Sequence, residues 1–242
     1  MQGGITIDYA YDELNELIRE DNLVLGRTVT YSYDVGGNIL SKTEYSYTVP
    51  DVTPTVQIGN PVTYSYEDSN WKDKLTNYNG KDIGYDAIGN TTSYDGYTYE
   101  WEAGRQLKTI TGNNKNVSYK YNDAGIRIEK KVNGVTTKYY LLGSKVAYET
   151  DGTGKIYYAY DDGKSLVSMS LNGVEYCYIR NAQGDITGLF DKNGTQAVSY
   201  TYDTWGKLIS IKDQNGIDVT DDIDHVGYKN PYRYRGYRYD SE

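Results

Sequence analysis

The chain has 242 residues, 25 Lys plus Arg against 34 Asp plus Glu, one His and a formal charge of −9. Leu, Ile, Val and Phe make up about 19% of it, a share that together with such acidity points to disorder, but 30 Tyr beside a single Phe restore the missing area as rings that each keep a polar handle. The charge argues against a nucleic-acid partner, whose affinity rests on Lys and Arg neutralising phosphates; no apolar run approaches the ~18 residues that span a bilayer; and Met1–Ile5 lacks the basic-then-apolar order of a signal peptide.

In chain order, the first element is Tyr9-Ala10-Tyr11-Asp12. The stretch from Asp12 to Leu25 shows a partial helical period at Leu14, Leu17, Ile18 and Leu25, yet the preceding Tyr-x-Tyr-Asp sets a strand register, and strand is the assignment. Tyr31-Ser32-Tyr33-Asp34 repeats the string with Gly37 three residues after the Asp, and Ile39 resumes apolar character. Pro50, Pro54 and Pro61 then mark an irregular connection near 48–62. Tyr85-Asp86 leads to Gly89 without the first Tyr, Tyr99 to Glu102 precedes Gly104 as a looser copy, and Tyr119-Lys120-Tyr121-Asn122 leads to Gly125 with Asn for Asp. Tyr158-Ala159-Tyr160-Asp161 precedes Gly163, and Tyr200-Thr201-Tyr202-Asp203 leads to Gly206 and Leu208. Most of these copies lie one or two units of about twenty residues apart.

The unit has a physical reading. Residues two apart in a strand share a face, so paired Tyr rings point the same way. Asp opens a type I turn by bonding the backbone ahead of it, and Gly at the fourth position takes the positive φ that returns the chain as a hairpin with a bulge. Asn79-Gly80, Asp95-Gly96, Asn133-Gly134, Asp151-Gly152, Asp162-Gly163, Asn172-Gly173, Asn193-Gly194 and Asn215-Gly216 supply a second class, two-residue hairpin turns. The predicted fold is all-β, a long antiparallel hairpin array in a single repeat region over 1–242.

These residues resemble the Rhs, or YD-repeat, proteins. The likeness extends beyond the short unit to Tyr85-Asp86-Ala87-Ile88-Gly89-Asn90 with Gly104-Arg105-Gln106-Leu107, to Tyr178-Ile179-Arg180-Asn181-Ala182-Gln183-Gly184-Asp185-Ile186 running on to Tyr202-Asp203-Thr204-Trp205-Gly206, and to residues 230–242, which resemble the start of the family's core-associated motif. The resemblance implies a curved, spiralling sheet that forms part of a hollow β-shell around a C-terminal toxin cargo, in a secreted or cell-surface bacterial polymorphic toxin. The self-cleaving acidic residues of the family lie downstream of this motif, so shell building carries over and no catalytic residue does. The implied partners are the remaining shell and the cargo. Sheet edges also predict self-association, which light scattering would detect.

The remaining chemistry reads as architecture. The cluster Asp218 to His225 could attract a cation, but it lacks the alternating ligands, central Gly and terminal Glu of a calcium loop, and a solvated acidic loop is the expectation. One His and no Gly-x-Ser-x-Gly leave no triad. Cys177, alone and between Tyr176 and Tyr178, is expected to be a small buried thiol. Arg233, Arg235 and Arg238 interleave with Tyr232, Tyr234, Tyr237 and Tyr239; as a strand this would put Arg233 and Arg235 opposite the Tyr face, with Arg–Tyr stacking favoured over single-strand binding. Sequons at Asn90, Asn116 and Asn193 read as chance turn sequences. No cofactor, metal or catalytic residue is assigned. The structural residues are Tyr9, Tyr11, Asp12, Tyr31, Tyr33, Asp34, Gly37, Tyr85, Asp86, Gly89, Tyr119, Tyr121, Gly125, Tyr200, Tyr202, Asp203 and Gly206. The rival expectation is a carbohydrate- or cell-wall-binding module, in which Tyr rings stack on sugars.

Overall fold

The computed structural model describes residues 7–240; Met1–Ile5, read above for a signal peptide, and Ser241 and Glu242 of the resembling motif lie outside the described residues. The chain divides into two compact units, residues 1–100 and 101–242. The first holds β1 (Ile7–Tyr11), β2 (Leu17–Asn22), β3 (Arg27–Tyr33), β4 (Ile39–Ser46), β5 (Val62–Ser65), β6 (Asn77–Tyr78), β7 (Lys81–Tyr85), β8 (Thr91–Tyr94) and most of β9 (Tyr97–Glu102). The second holds β10 (Gln106–Gly112), β11 (Lys115–Tyr121), β12 (Arg127–Val132), β13 (Val135–Leu142), β14 (Lys145–Thr150), β15 (Lys155–Tyr160), β16 (Leu166–Leu171), β17 (Val174–Arg180), β18 (Ile186–Asp191), β19 (Gln196–Tyr202) and β20 (Leu208–Asp213). In each unit every strand pairs antiparallel with its neighbour in sequence, an all-β meander without crossovers. Residues 12–25 form a turn, β2 and a second turn, not a helix. Among the described residues no helix is long and apolar enough to cross a membrane.

The turns explain the meander. Nine of them among the described residues share one geometry, opened by Asp12, Asp34, Asp86, Asn122, Asp161, Asn181, Asp191, Asp203 and Asp213. In each, the opening residue's N–H donates to the carbonyl four residues on, and the residue three on donates back to its carbonyl. The opening side chain accepts the N–H four residues ahead, as Asp34 Oδ1 does from Asn38 at 2.9 Å and Asp203 Oδ1 from Lys207 at 2.9 Å. The residue three on has positive φ, +84° at Gly37 and +87° at Gly206, a conformation that costs a side chain but not Gly. Asn15 and Lys164 hold that position where the pattern lacks Gly, with φ of 62° and 64°.

The second turn class is narrower than expected. Asn79-Gly80, Asp95-Gly96, Asn133-Gly134 and Asn172-Gly173 have positive φ at both residues, the two-residue hairpin geometry that matches strand twist. Asn193-Gly194 and Asn215-Gly216 instead belong to the nine-fold class, because Asp191 and Asp213 stand three residues before each Gly and take over the turn. Asp162-Gly163 likewise sits inside the Asp161 turn, where Lys164 carries the positive φ. The looser copy at Glu102 turns through Ala103 and Gly104, φ 45° and 84°, so it is not an Asp-type turn.

Each unit covers one sheet face. In the first, Leu17, Val29 and Tyr31 form the core, with Tyr33 packed against it. No strand forms between β4 and β5; an isolated bridge joins Tyr45 to Gln57. Arg19 of β2 holds this connection by donating to the carbonyls of Val52 (2.8 Å) and Val49 (3.1 Å), and the buried Thr28 donates to Asp21 at 2.7 Å. In the second unit the core is larger: Ile156, Tyr158, Leu166, Met169, Ile186, Leu189, Val198, Tyr200 and Ile211. Cys177 points away from the face of its Tyr neighbours, as strand alternation requires, but that opposite face is uncovered and the thiol is exposed rather than buried.

Candidate functional site: a tyrosine wall under a C-terminal strap

The paired Tyr of the repeat do two different jobs. The first of each pair is a core ring: Tyr31, Tyr119, Tyr158 and Tyr200 are 5–7% exposed. The second uses its hydroxyl. Tyr33 donates to the carbonyl of Leu17 at 2.8 Å, Tyr85 to Leu75 at 2.7 Å, Tyr121 to Leu107 at 2.8 Å, Tyr160 to Val146 at 2.9 Å and Tyr202 to Ile186 at 2.8 Å. Each of these residues stands at a β-bulge, where the turn shifts the register of its strand and the ladder is locally disrupted. The hydroxyl reaches a main-chain carbonyl of the stretch before it, a role Phe cannot fill. In β17 the same position is Arg180, whose guanidinium donates to Leu166 at 2.7 Å. Tyr9 and Tyr11 depart from the pattern: on β1 they are 44% and 57% exposed.

The segment after β20 does not form a strand. It contains α1 (Val226–Lys229) and a 3-10 turn at Tyr234–Gly236, and one isolated bridge joins Tyr232 to Arg238. It lies as a strap across the core face of the second unit. Gly227 fits against Ile211 and Val198, where a Cβ would stand 2.6 Å and 2.9 Å from their methyl groups. Asn230, fully buried, accepts from the Tyr178 hydroxyl at 3.0 Å and the Tyr232 N–H at 3.2 Å. Its amide donates to the Tyr200 hydroxyl (3.0 Å) and the Tyr232 carbonyl (2.7 Å), so its polar capacity is met in full. Tyr200 in turn donates to the Gly227 carbonyl at 2.8 Å. Tyr232 packs edge-on against Tyr158, and Asp240 pairs with Arg127 (2.6 Å) and Lys130 (3.1 Å) of β12. The strap thus runs back from β20 to β12.

The arginines of this strap stack on tyrosine rings. Arg233, 4% exposed, lies 4.3 Å from the Tyr239 ring centroid and 5.8 Å from that of Tyr200. Arg238 lies 4.6 Å from the Tyr139 centroid, and its Nη2 pairs with the buried Glu149. Burial opposes the charge of Arg238, but Glu149 together with Tyr158, Tyr139 and Tyr232 outweighs it and the guanidinium stays ionised. The expected strand alternation of Arg233 and Arg235 is therefore corrected: the 3-10 turn, with Arg235 at φ 54°, replaces it. Arg235 donates its N–H to Asp185 at 3.0 Å.

Burial raises the hydroxyl pKa of Tyr158, Tyr178 and Tyr202, and takes Tyr200 to about 12. These rings are neutral donors at ordinary pH. His225 caps α1, its Nδ1 accepting from Gly227 at 3.1 Å, while Asp222 and Asp224 of the acidic loop are exposed. Among the described residues no group of three His, Cys, Asp or Glu side chains is gathered as a metal site would gather them. Tyr139, Glu149 and Asn230 were not legible as site residues. Glu149 sits in a strand whose pattern offers no reason to bury a charge, and its partner Arg238 is 89 residues away.

No family model matches the chain. It is 35% identical over 239 residues to the tRNA3(Ser)-specific nuclease WapA of Bacillus spizizenii and, at the same identity and length, to the tRNA nuclease WapA of Bacillus subtilis. These matches take in 96% of this chain but 9% of each relative, so the chain spans less than a tenth of the length of the curated relatives it matches. Among solved structures it is similar to the TcdB2-TccC3-Cdc42 crystal structure (TM-score 0.64, 16% identity, 97% of this chain and 13% of that one) and to the Photorhabdus luminescens Tc holotoxin pore (TM-score 0.61, 15% identity, 97% and 13%). At that identity the likeness is one of fold.

Proposed function

The chain is a segment of the Rhs/YD-repeat family, and from that premise we propose that it is a non-enzymatic wall segment of a secreted or cell-surface bacterial toxin protein, helping to enclose a polypeptide cargo carried by the same parent chain. The observation that carries this reading is the tyrosine wall. A covered face in each unit, hydroxyl-to-carbonyl ties at the bulges of Tyr33, Tyr85, Tyr121, Tyr160 and Tyr202, and in the second unit a strap that runs from β20 back to β12 support a structural role. The small share of each relative that the chain spans supports a part played within a larger polypeptide. Nuclease activity stays with the relatives that bear it in their names.

Limited proteolysis of the intact parent polypeptide tests this. The cargo is expected to resist cleavage under native conditions and to become cleavable when the wall is opened by mild denaturant. Cargo cut at the same rate before and after opening would overturn the proposal.

One observation favours the carbohydrate reading. Tyr140, Tyr148 and Tyr157 align across β13, β14 and β15 with centroids 5.2 Å and 4.5 Å apart, and Tyr140 and Tyr157 are about half exposed. A sugar-binding surface would have to use this row rather than Tyr31, which is buried, or Tyr33, whose hydroxyl is tied to Leu17. Glycan binding abolished by Tyr148→Ala, with the fold retained, would favour it.

A further inference from the structure

We propose that Tyr148 of β14 and Tyr157 of β15 form a site of oxidative cross-linking, where a haem peroxidase with hydrogen peroxide joins the two rings as dityrosine. Strand alternation puts both on the uncovered face of the second unit. Tyr157 stands between Ile156 and Tyr158, which are 8% and 7% exposed, and is itself 52% exposed; Tyr148 is half-buried and precedes the buried Glu149. The two are direct cross-strand partners in a ladder that runs in register from Tyr148 and Tyr157 through Glu149 and Ile156 to Thr150 and Lys155, the arrangement that brings side chains of one face into contact. Their ring centroids are 4.5 Å apart, with planes 23° from parallel.

Ring overlap and access from solvent do not coincide in the contacts of Tyr200, Tyr158 or Tyr64. Tyr200 and Tyr202 are near parallel, but their centroids are 6.3 Å apart and their hydroxyls are given to the Gly227 and Ile186 carbonyls. Tyr158 meets Tyr232 edge-on beneath the strap, and Tyr64 meets Tyr78 at 63°. Tyr140 continues the exposed row at 5.2 Å from Tyr148, but the register shifts beside it and the planes open to 31°. In the reaction each phenol gives one electron and one proton to the oxidant. The two phenoxyl radicals join through the carbons ortho to their hydroxyls. Each of those carbons then releases its hydrogen as a proton, each oxygen takes one up, and both rings are aromatic again. The two electrons and two protons reduce one hydrogen peroxide to two waters. The new bond staples β14 to β15 across the turn at 151–154, and a closed loop this short adds only modest stability. The inference rests on neither functional reading above.

Treating the full chain at high dilution with hydrogen peroxide and a haem peroxidase tests it, read by dityrosine fluorescence, intact mass and sequencing of the linked peptides. The expected product is a cross-linked monomer lighter by two hydrogens, with Tyr148 joined to Tyr157. Tyr148→Phe and Tyr157→Phe are each expected to abolish that product, and Tyr140→Phe to leave its yield unchanged. All three changes keep the ring and lie on the uncovered face, and circular dichroism checks that each variant is folded. Links spread evenly over other tyrosines, a link between Tyr140 and Tyr148 in place of the expected one, joins between chains only, or full yield in Tyr148→Phe or Tyr157→Phe would overturn the proposal.

Discussion

Tyr33→Phe, Tyr121→Phe and Tyr202→Phe each keep the ring and delete one hydrogen bond to a main-chain carbonyl. Each is expected to cost about 1 kcal/mol in denaturant unfolding, and Tyr33→Phe with Tyr202→Phe, in separate units, should add. Tyr139→Phe is the control, with no loss expected because its hydroxyl has no partner. Equal effects at all four positions would mean that ring burial, not the hydroxyl, explains why Tyr replaces Phe. The same hydroxyls set the alkaline limit. Tyr200 rises from 10 to about 12 through burial, so its contribution is complete below pH 10 and is lost as pH climbs from there to about 12, roughly 2–3 kcal/mol from this group. Following tyrosinate absorbance and circular dichroism together should show the exposed Tyr ionising reversibly first and the buried set only as the sheet unfolds. At the acid end Asp34, held down by the Asn38 side chain and then its backbone N–H, keeps its turn intact until pH falls below the ordinary carboxylate range.

At the scale of the element, the two turn classes respond differently to the same substitution. Gly173→Ala forces a side chain into φ 89° but meets nothing within 4 Å, so it carries only the conformational cost of about 1–2 kcal/mol. Gly206→Ala adds a Cβ that would land on the Tyr234 ring. It is expected to be markedly the more destabilising of the two and to loosen the strap, read as faster amide exchange at Asn230. Equal losses would mean that Tyr234 yields freely. The regular turns were legible from residue spacing because Asp or Asn at one position and a positive-φ residue three later are a local, self-contained instruction. Asp191 and Asp213 also obeyed it, hidden behind a stronger-looking Asn-Gly. What was not legible depends on contacts far apart in sequence. Cys177 gave a face but not whether anything covers it. The strap's strand-like Arg–Tyr alternation was overridden by Arg235 at φ 54° and by partners such as Glu149. The Tyr positions that tie carbonyls were visible, yet the acceptors, ten to sixteen residues back, were not.

At the scale of the whole molecule, the meander explains why a chain poor in aliphatic residues folds. Sequence-adjacent strands pair in order, each unit buries one face, and in the second unit the strap covers that face with Asn230 and Tyr232 at its centre. On the proposed reading this wall encloses another polypeptide as part of a longer chain, and the chain spans 9% of the WapA relatives. The measurement that reaches this claim most directly is an electron cryomicroscopy reconstruction of the intact parent polypeptide. The account predicts residues 7–240 within a closed wall, with polypeptide density on its inner side. A freely exposed sheet with the cargo domain folded outside it would contradict the account.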